Sequence, residues 1–259
     1  MSKIFISGSI SIKELDEKVK KVIDKIIQKK YEILVGDAEG IDKLIQNYLA
    51  ECGYENVVIY YIGEKPRNCQ FKNFKTKKVN FDDSLKSERE KQYFKDKKML
   101  EECDKCFCIW NGRSKGSYEN IRRALENRQK SREIVIYHKQ TKEFIKAEKL
   151  QEYSELKNRI DEIYEENNGY SLKEIYEIVK EDYHCNKYKD FIDRLEREKM
   201  IIKVIQKKEF YKPYKLEYGI ENKYKGTISS YRFTNEFLKL VQEKFKKITN
   251  TQPQFADLL

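Results

Sequence analysis

Tyr31-Glu32-Ile33-Leu34-Val35-Gly36-Asp37-Ala38-Glu39-Gly40-Ile41-Asp42 joins a short β-rich run to a turn with two glycines and then to the start of a new pattern. From Ile41 onward, Leu44, Ile45, Tyr48 and Leu49 recur at helical spacing. The stretch therefore reads as strand, glycine turn, helix. The same order precedes it. Lys3 to Ser7 is strand-like around Ile4, Phe5 and Ile6 and stops at Gly8, after which Ile12, Leu15, Val19, Val22, Ile23, Ile26 and Ile27 mark a helix. It is also followed by more of the same. Val57–Ile62 predicts a third strand, Gly63 to about Leu85 a long polar loop, and Ser87–Glu102 a charged helix. A strand at Lys105–Trp110, a helix from Ser117 to about Arg128 and a strand at Glu133–Tyr137 complete the series. Strands that alternate with helices imply an α/β, Rossmann-like fold with a mainly parallel sheet. Such sheets bind ligands beyond the C-terminal ends of their strands.

After Tyr137 the spacing turns helical. Phe144, Leu150, Leu156, Ile160 and Ile163 lie in a charged segment that ends near Asn167-Asn168-Gly169 and reads as a linker helix. Ser171-Leu172-Lys173-Glu174 has the form of a capping box at the start of a further helix. A second helix around Lys187–Lys199 and a strand-like run at Ile201–Ile205 follow, which is the order of a winged helix. The expected organisation is a nucleotide-binding domain at 1–140, a linker helix at 141–169 and a smaller, mainly helical or winged-helix domain at 170–259. The chain's 259 residues and 39% hydrophobic content can supply two cores. No apolar run is long enough to cross a bilayer, so the expectation is a cytoplasmic protein without a membrane partner. Cys52, Cys69, Cys103, Cys106, Cys108 and Cys185 are unevenly spread and read as reduced thiols. Cys106 and Cys108 fall inside a strand, and His138 and His184 stand alone, so neither a metal site nor a cofactor is expected. The net charge of +10 is concentrated in residues 1–140, which carry +8 of it.

Three glycine-bearing turns follow predicted strands and should converge on one sheet edge. They are Ser7-Gly8-Ser9, Gly36 to Asp42, and Asn111-Gly112-Arg113-Ser114-Lys115-Gly116-Ser117. Glycine admits close backbone approach, and Ser9, Ser114 and Ser117 can donate to phosphate beside helix N-terminal amides. A carboxylate beside phosphate is repelled, so Asp42 either bonds ribose hydroxyls or caps backbone amides, and Asp37 may be read as an organiser of its own turn. Between Lys65 and Lys78 stand six cations and no acid, with Phe71 and Phe74 among them. That loop is either a phosphate and base contact or a solvated surface whose phenyl rings tuck onto the domain. Trp110, at the end of its strand, either stacks on a base or packs.

Ser7-Gly8-Ser9, Gly36-Asp37-Ala38-Glu39-Gly40-Ile41-Asp42, Pro66-Arg67-Asn68 and Trp110 to Ser117 together resemble the successive motifs of the SLOG superfamily, in its small bacterial branch. The resemblance spans about residues 3–137. It implies binding of a nucleotide or a nucleotide-derived phosphorylated ligand, as a sensor or binding protein, with Gly8, Ser9, Gly36, Asp37, Gly40, Asp42, Arg67, Asn68, Trp110, Gly112, Ser114, Gly116, Ser117 and Asn120 around it. Some relatives hydrolyse or transfer at an N-glycosidic bond, in the manner of phosphoribohydrolases or deoxyribosyltransferases, with a glutamate at the position that Asn120 occupies. Here the adjacent Glu119 is one residue out of register, and a neutral amide stabilises a developing oxocarbenium ion far less than a carboxylate does. An enzyme using Glu119 is therefore the alternative. A third reading is a DNA-processing protein that binds single strands, through the basic loop or the C-terminal domain, since an SLOG-like domain before a winged helix resembles that arrangement. Homo-oligomerisation is left open.

Overall fold

The computed structural model describes residues 2–69, 71–81, 85, 87–126, 133–147, 152–181, 187–206, 209–224 and 227–249. Cys185 and His184 lie outside them. The contacts divide the chain into two compact units, Met1–Asp161 and Glu162–Leu259.

The first unit is α/β. Its sheet contains β1 (Lys3–Gly8), β2 (Glu32–Val35), β3 (Val57–Tyr61), β4 (Lys75–Lys78), β5 (Lys105–Trp110), β6 (Glu133–His138) and β7 (Glu143–Ala147), in the order β4-β3-β2-β1-β5-β6-β7. All pairings are parallel except β6 with β7. Helices α1 (Glu17–Gln28), α2 (Ile41–Glu51), α3 (Glu88–Glu102) and α4 (Lys115–Glu126) connect the strands. Because side chains alternate across a strand, Ile4 and Ile6 of β1 face one way and Phe5 the other, and all three are buried. Ile4, Ile6, Ile33, Val35, Val57 and Ile59 form one core with Val19, Ile23 and Ile26 of α1 and Ile41, Ile45 and Leu49 of α2. Helices α3 and α4 pack against strands of the same sheet, burying Met99, Leu100, Ile121 and Leu125.

Two elements depart from the sequence reading. The long loop after β3 contains β4, a parallel edge strand with all four residues exposed. It has no apolar face and therefore no periodic signal, and its lysines suit a sheet edge. Phe144, read as helical, belongs to the antiparallel edge strand β7, so the segment 141–169 is a strand followed by α5 (Glu152–Asn168) rather than one helix. Three apolar residues at wide spacing cannot separate a short strand from a helix turn.

The second unit runs α6 (Leu172–Val179), α7 (Tyr188–Arg197), the antiparallel pair β8 (Ile201–Ile205) and β9 (Glu209–Pro213), the antiparallel pair β10 (Gly219–Tyr224) and β11 (Thr227–Phe233), and α8 (Asn235–Thr249). Ser171 and Glu174 form the expected capping box, each side chain bonding the other's backbone N–H. Leu172, Ile175, Phe191, Leu195, Phe237 and Phe245 belong to its separate core. Among the described residues no helix is long and apolar enough to cross a membrane.

Candidate functional site

Strand order reverses at β1, which pairs with β2 on one side and β5 on the other. Connections leave such a point in opposite directions and open a crevice. A cleft of about 470 Å³ lies there. Gly8 from β1, Gly36 from the turn after β2, and Ser114, Gly116 and Ser117 from the β5–α4 junction line it. Asp42 and Asn120 join them, so the expected convergence of three turns occurs.

Beneath the cleft is a charged knot. Asp37 is fully buried and its carboxylate accepts from Arg67 in a fork, Nη2 to Oδ1 at 2.7 Å and Nε to Oδ2 at 3.1 Å. The Arg67 backbone N–H also donates to Oδ2, at 3.1 Å. Lys95, itself only 2% exposed, reaches Oδ1 at 3.0 Å. Asn68 Nδ2 donates to the Asp37 carbonyl oxygen at 3.1 Å, and Gln46 Nε2 to the Gly36 carbonyl oxygen at 2.9 Å. Burial alone would raise the Asp37 pKa, but the Arg67 hydrogen bonds and the Lys95 charge overcome it and hold the carboxyl down at about 2. Arg67 itself lines the cleft, about half exposed. Its guanidinium is engaged with Asp37 and, through Nη2, with Gln92 Oε1 at 3.2 Å.

Asp42 accepts the Ala38 backbone N–H at 3.1 Å, close to the amide-capping role. Burial pushes its pKa up to about 7; Lys95 opposes the rise, and Asp96 and Asp37 add to it. Gly36 is required here, since a Cβ would collide with the Asp42 carboxylate and stand 2.9 Å from Lys95 Nζ. Gly40 takes φ +75°, and a Cβ on it would run into the backbone of Ile10.

The other wall comes from α3 and α4. Asp96 Oδ2 accepts from Asn120 Nδ2 at 2.9 Å, and Asn120 Oδ1 accepts from Arg123 Nη1 at 3.0 Å. Tyr93, Lys95 and Asp96 line the cleft but were absent from the sequence reading, because α3 is charged on most of its surface and its Ser87-x-x-Glu90 capping box marks a helix start and not a site. A buried lysine at position 95 leaves no mark in a helix with so many exposed ones.

Other expected contributors are used up in the fold. Ser9 is fully buried; its Oγ donates to Asn111 Oδ1, accepts from the Asn111 N–H and lies 3.3 Å from Ser117 Oγ, so it pins the first turn to the third. Trp110 is also fully buried; its Nε1 donates to the Ser114 carbonyl oxygen and its ring stacks on Tyr118, so it is a packing residue and not a platform for a base. Asp37, Gly40, Asn68 and Gly112 shape the turns without lining the cleft, and Glu119 does not line it either. Phe74 is buried and Phe71 packs against it at 5.4 Å, so these rings tuck onto the domain. Cys103 and Cys106 are buried with sulfurs 3.6 Å apart, and burial pushes the Cys108 thiol up to about 12. No family model, curated protein or solved structure matches the chain.

Proposed function

We propose that the first unit binds a nucleotide or nucleotide-derived phosphorylated ligand in this cleft, as a binding or sensor protein. The observation that carries the reading is the position of the cleft at the reversal point between β1 and β5, beyond the strand C-termini. The phosphate end fits the first turn of α4, where Gly116 and Ser117 line the cleft at positions whose backbone amides have no partner within the helix, beside the hydroxyl of Ser114, which accepts from Ser117. The resemblance of these turns to the SLOG motifs points the same way. A thermal-shift panel of nucleoside mono-, di- and triphosphates tests it, with free base assayed alongside. Ligand-induced stabilisation without base release is the expected result; no shift with any nucleotide overturns the reading, and base release makes the protein an enzyme.

The order α6, α7, β8, β9 supports a winged-helix reading of the second unit and a nucleic-acid contact there. Lys203 and Lys212 are on the hairpin, but Lys203 pairs with Glu209, and Arg194 of α7 is packed over the Phe245 ring at 3.7 Å. DNA binding by the full chain that weakens steeply with salt would favour this second function.

A further inference from the structure

Among the described residues the cations lining the cleft are Arg67, Lys95 and Arg89, and two of them are already held by Asp37. Facing the same space are the carboxylates of Asp42, Asp96 and Glu88. Along α3 the carboxylates of Asp96 and Glu88 repel a phosphate and accept a hydrogen-bond donor, so a donor edge matches that wall. Asp96 is the best-oriented acceptor. Its Oδ2 is fixed by Asn120, which is 6% exposed and held in turn by Arg123, while Oδ1 stands 3.8 Å from Lys95 Nζ. The bond from Asn120 uses one of about four acceptor positions of a carboxylate, and Asp96 keeps 21% of its side chain exposed.

A fixed carboxylate matches two parallel N–H donors. Among the common nucleobases only guanine offers them side by side, at N1–H and the 2-amino group. Adenine and cytosine place an acceptor beside their amino group, uracil sets one N–H between two carbonyls, and hypoxanthine lacks the second donor. Resting on the nucleotide reading of the cleft, we propose that Asp96, oriented by Asn120, reads the donor edge of guanine, so that the ligand is a guanine nucleotide. The cleft volume of about 470 Å³ is in the range of small-molecule sites.

Calorimetric titration of the full chain with GMP, dGMP, IMP, AMP and XMP tests the assignment. GMP should bind about 10- to 100-fold more tightly than IMP or AMP, the range expected for one hydrogen bond to a charged group, and dGMP should stay close to GMP. Asp96→Asn replaces one acceptor by a donor, so it should lose GMP and gain XMP, whose N1–H and 2-oxo edge is complementary to an amide. That exchange of preference cannot arise from a merely destabilised fold. Equal binding of GMP and IMP by the unaltered protein overturns the proposal, as does an Asp96→Asn variant that still prefers GMP. Loss of binding on removing the 2′-hydroxyl, with IMP equal to GMP, also overturns it and puts the carboxylate on the ribose instead. Binding of nucleotides without guanine preference sinks only this inference, whereas no binding at all sinks the nucleotide reading with it.

Discussion

Asp37 and Lys95 are a buried ion pair, and such pairs are expensive to break from one side only. Lys95→Met should cost about 1–3 kcal/mol because Asp37 keeps its Arg67 fork, and Lys95→Met combined with Asp37→Leu should lose less than the sum of the two single changes, although it strands the Arg67 donors. Denaturant unfolding of the two single variants and the double variant measures the coupling; additive losses would show that the pair does not act as one unit. Asp42 gives a pH test of opposite sign to an ordinary surface carboxylate. Its pKa rises from the usual 3.8 to about 7 in the fold, so between those values the folded state holds a proton that the unfolded state has released. Stability contributed by this group is therefore full below pH 4 and falls by about 1.4 kcal/mol per pH unit until pH 7, in a field set by Lys95, Asp96 and Asp37. Asp42→Asn keeps an oxygen for the Ala38 N–H and should flatten that slope, read from unfolding midpoints at pH 5 and pH 8. Asp37, at about 2, works the other way, and its contribution is lost only as pH falls from 3.8 through 2. That the turns carrying Gly8, Gly36, Asp42 and Gly116 meet at one sheet edge was legible because turn chemistry is local. The roles of Arg67 and Trp110 were not, since a guanidinium looks the same in sequence whether it faces a phosphate or a buried aspartate thirty residues away.

The first turn of α4 separates a blocked site from a broken fold. Gly116 has nothing within 4 Å of the position its Cβ would take and φ in the ordinary range, so Gly116→Val should fold with a stability within about 1 kcal/mol of the parent. It should nevertheless abolish the nucleotide-induced thermal shift, because the branched side chain projects where the ligand must approach. Gly36→Ala is the contrasting change: collision with Asp42 and crowding of Lys95 should cost about 1–3 kcal/mol before any ligand is added. A Gly116→Val protein that still responds to nucleotide would move the site elsewhere. The strand–turn–helix rhythm that made these elements readable depends on half-buried faces with a clear period. β4, fully exposed, and β7, a short edge strand, have no such face, and they are the two strands of the first unit that the periodicity did not reveal; β9, β10 and β11 of the second unit were not read either.

Among the described residues, each unit has apolar core residues of its own. Phe237 is fully buried in the second, so Phe237→Ala should cost about 3–5 kcal/mol there. Hydrogen exchange should report it as lost protection in α6, α7 and α8, with the amides of β1, β2 and β5 unchanged; uniform loss along the chain would show one cooperative unit. The change of period read after Tyr137 does not mark the division, since β7 at Glu143–Ala147 still belongs to the first sheet and α5 runs through the boundary between the two units at Asp161. The central place of β1 also has a consequence for synthesis. Its partner β5 pairs Ile4 with Lys105 and Gly8 with Ile109, across about a hundred residues of chain. While the ribosome is still making that span, the strand that will be innermost has one open edge of unpaired amides and carbonyls flanked by Ile4, Phe5 and Ile6. The nascent chain thus carries an adhesive edge until Trp110 has emerged, and a product truncated anywhere before that point should be the form most prone to aggregate.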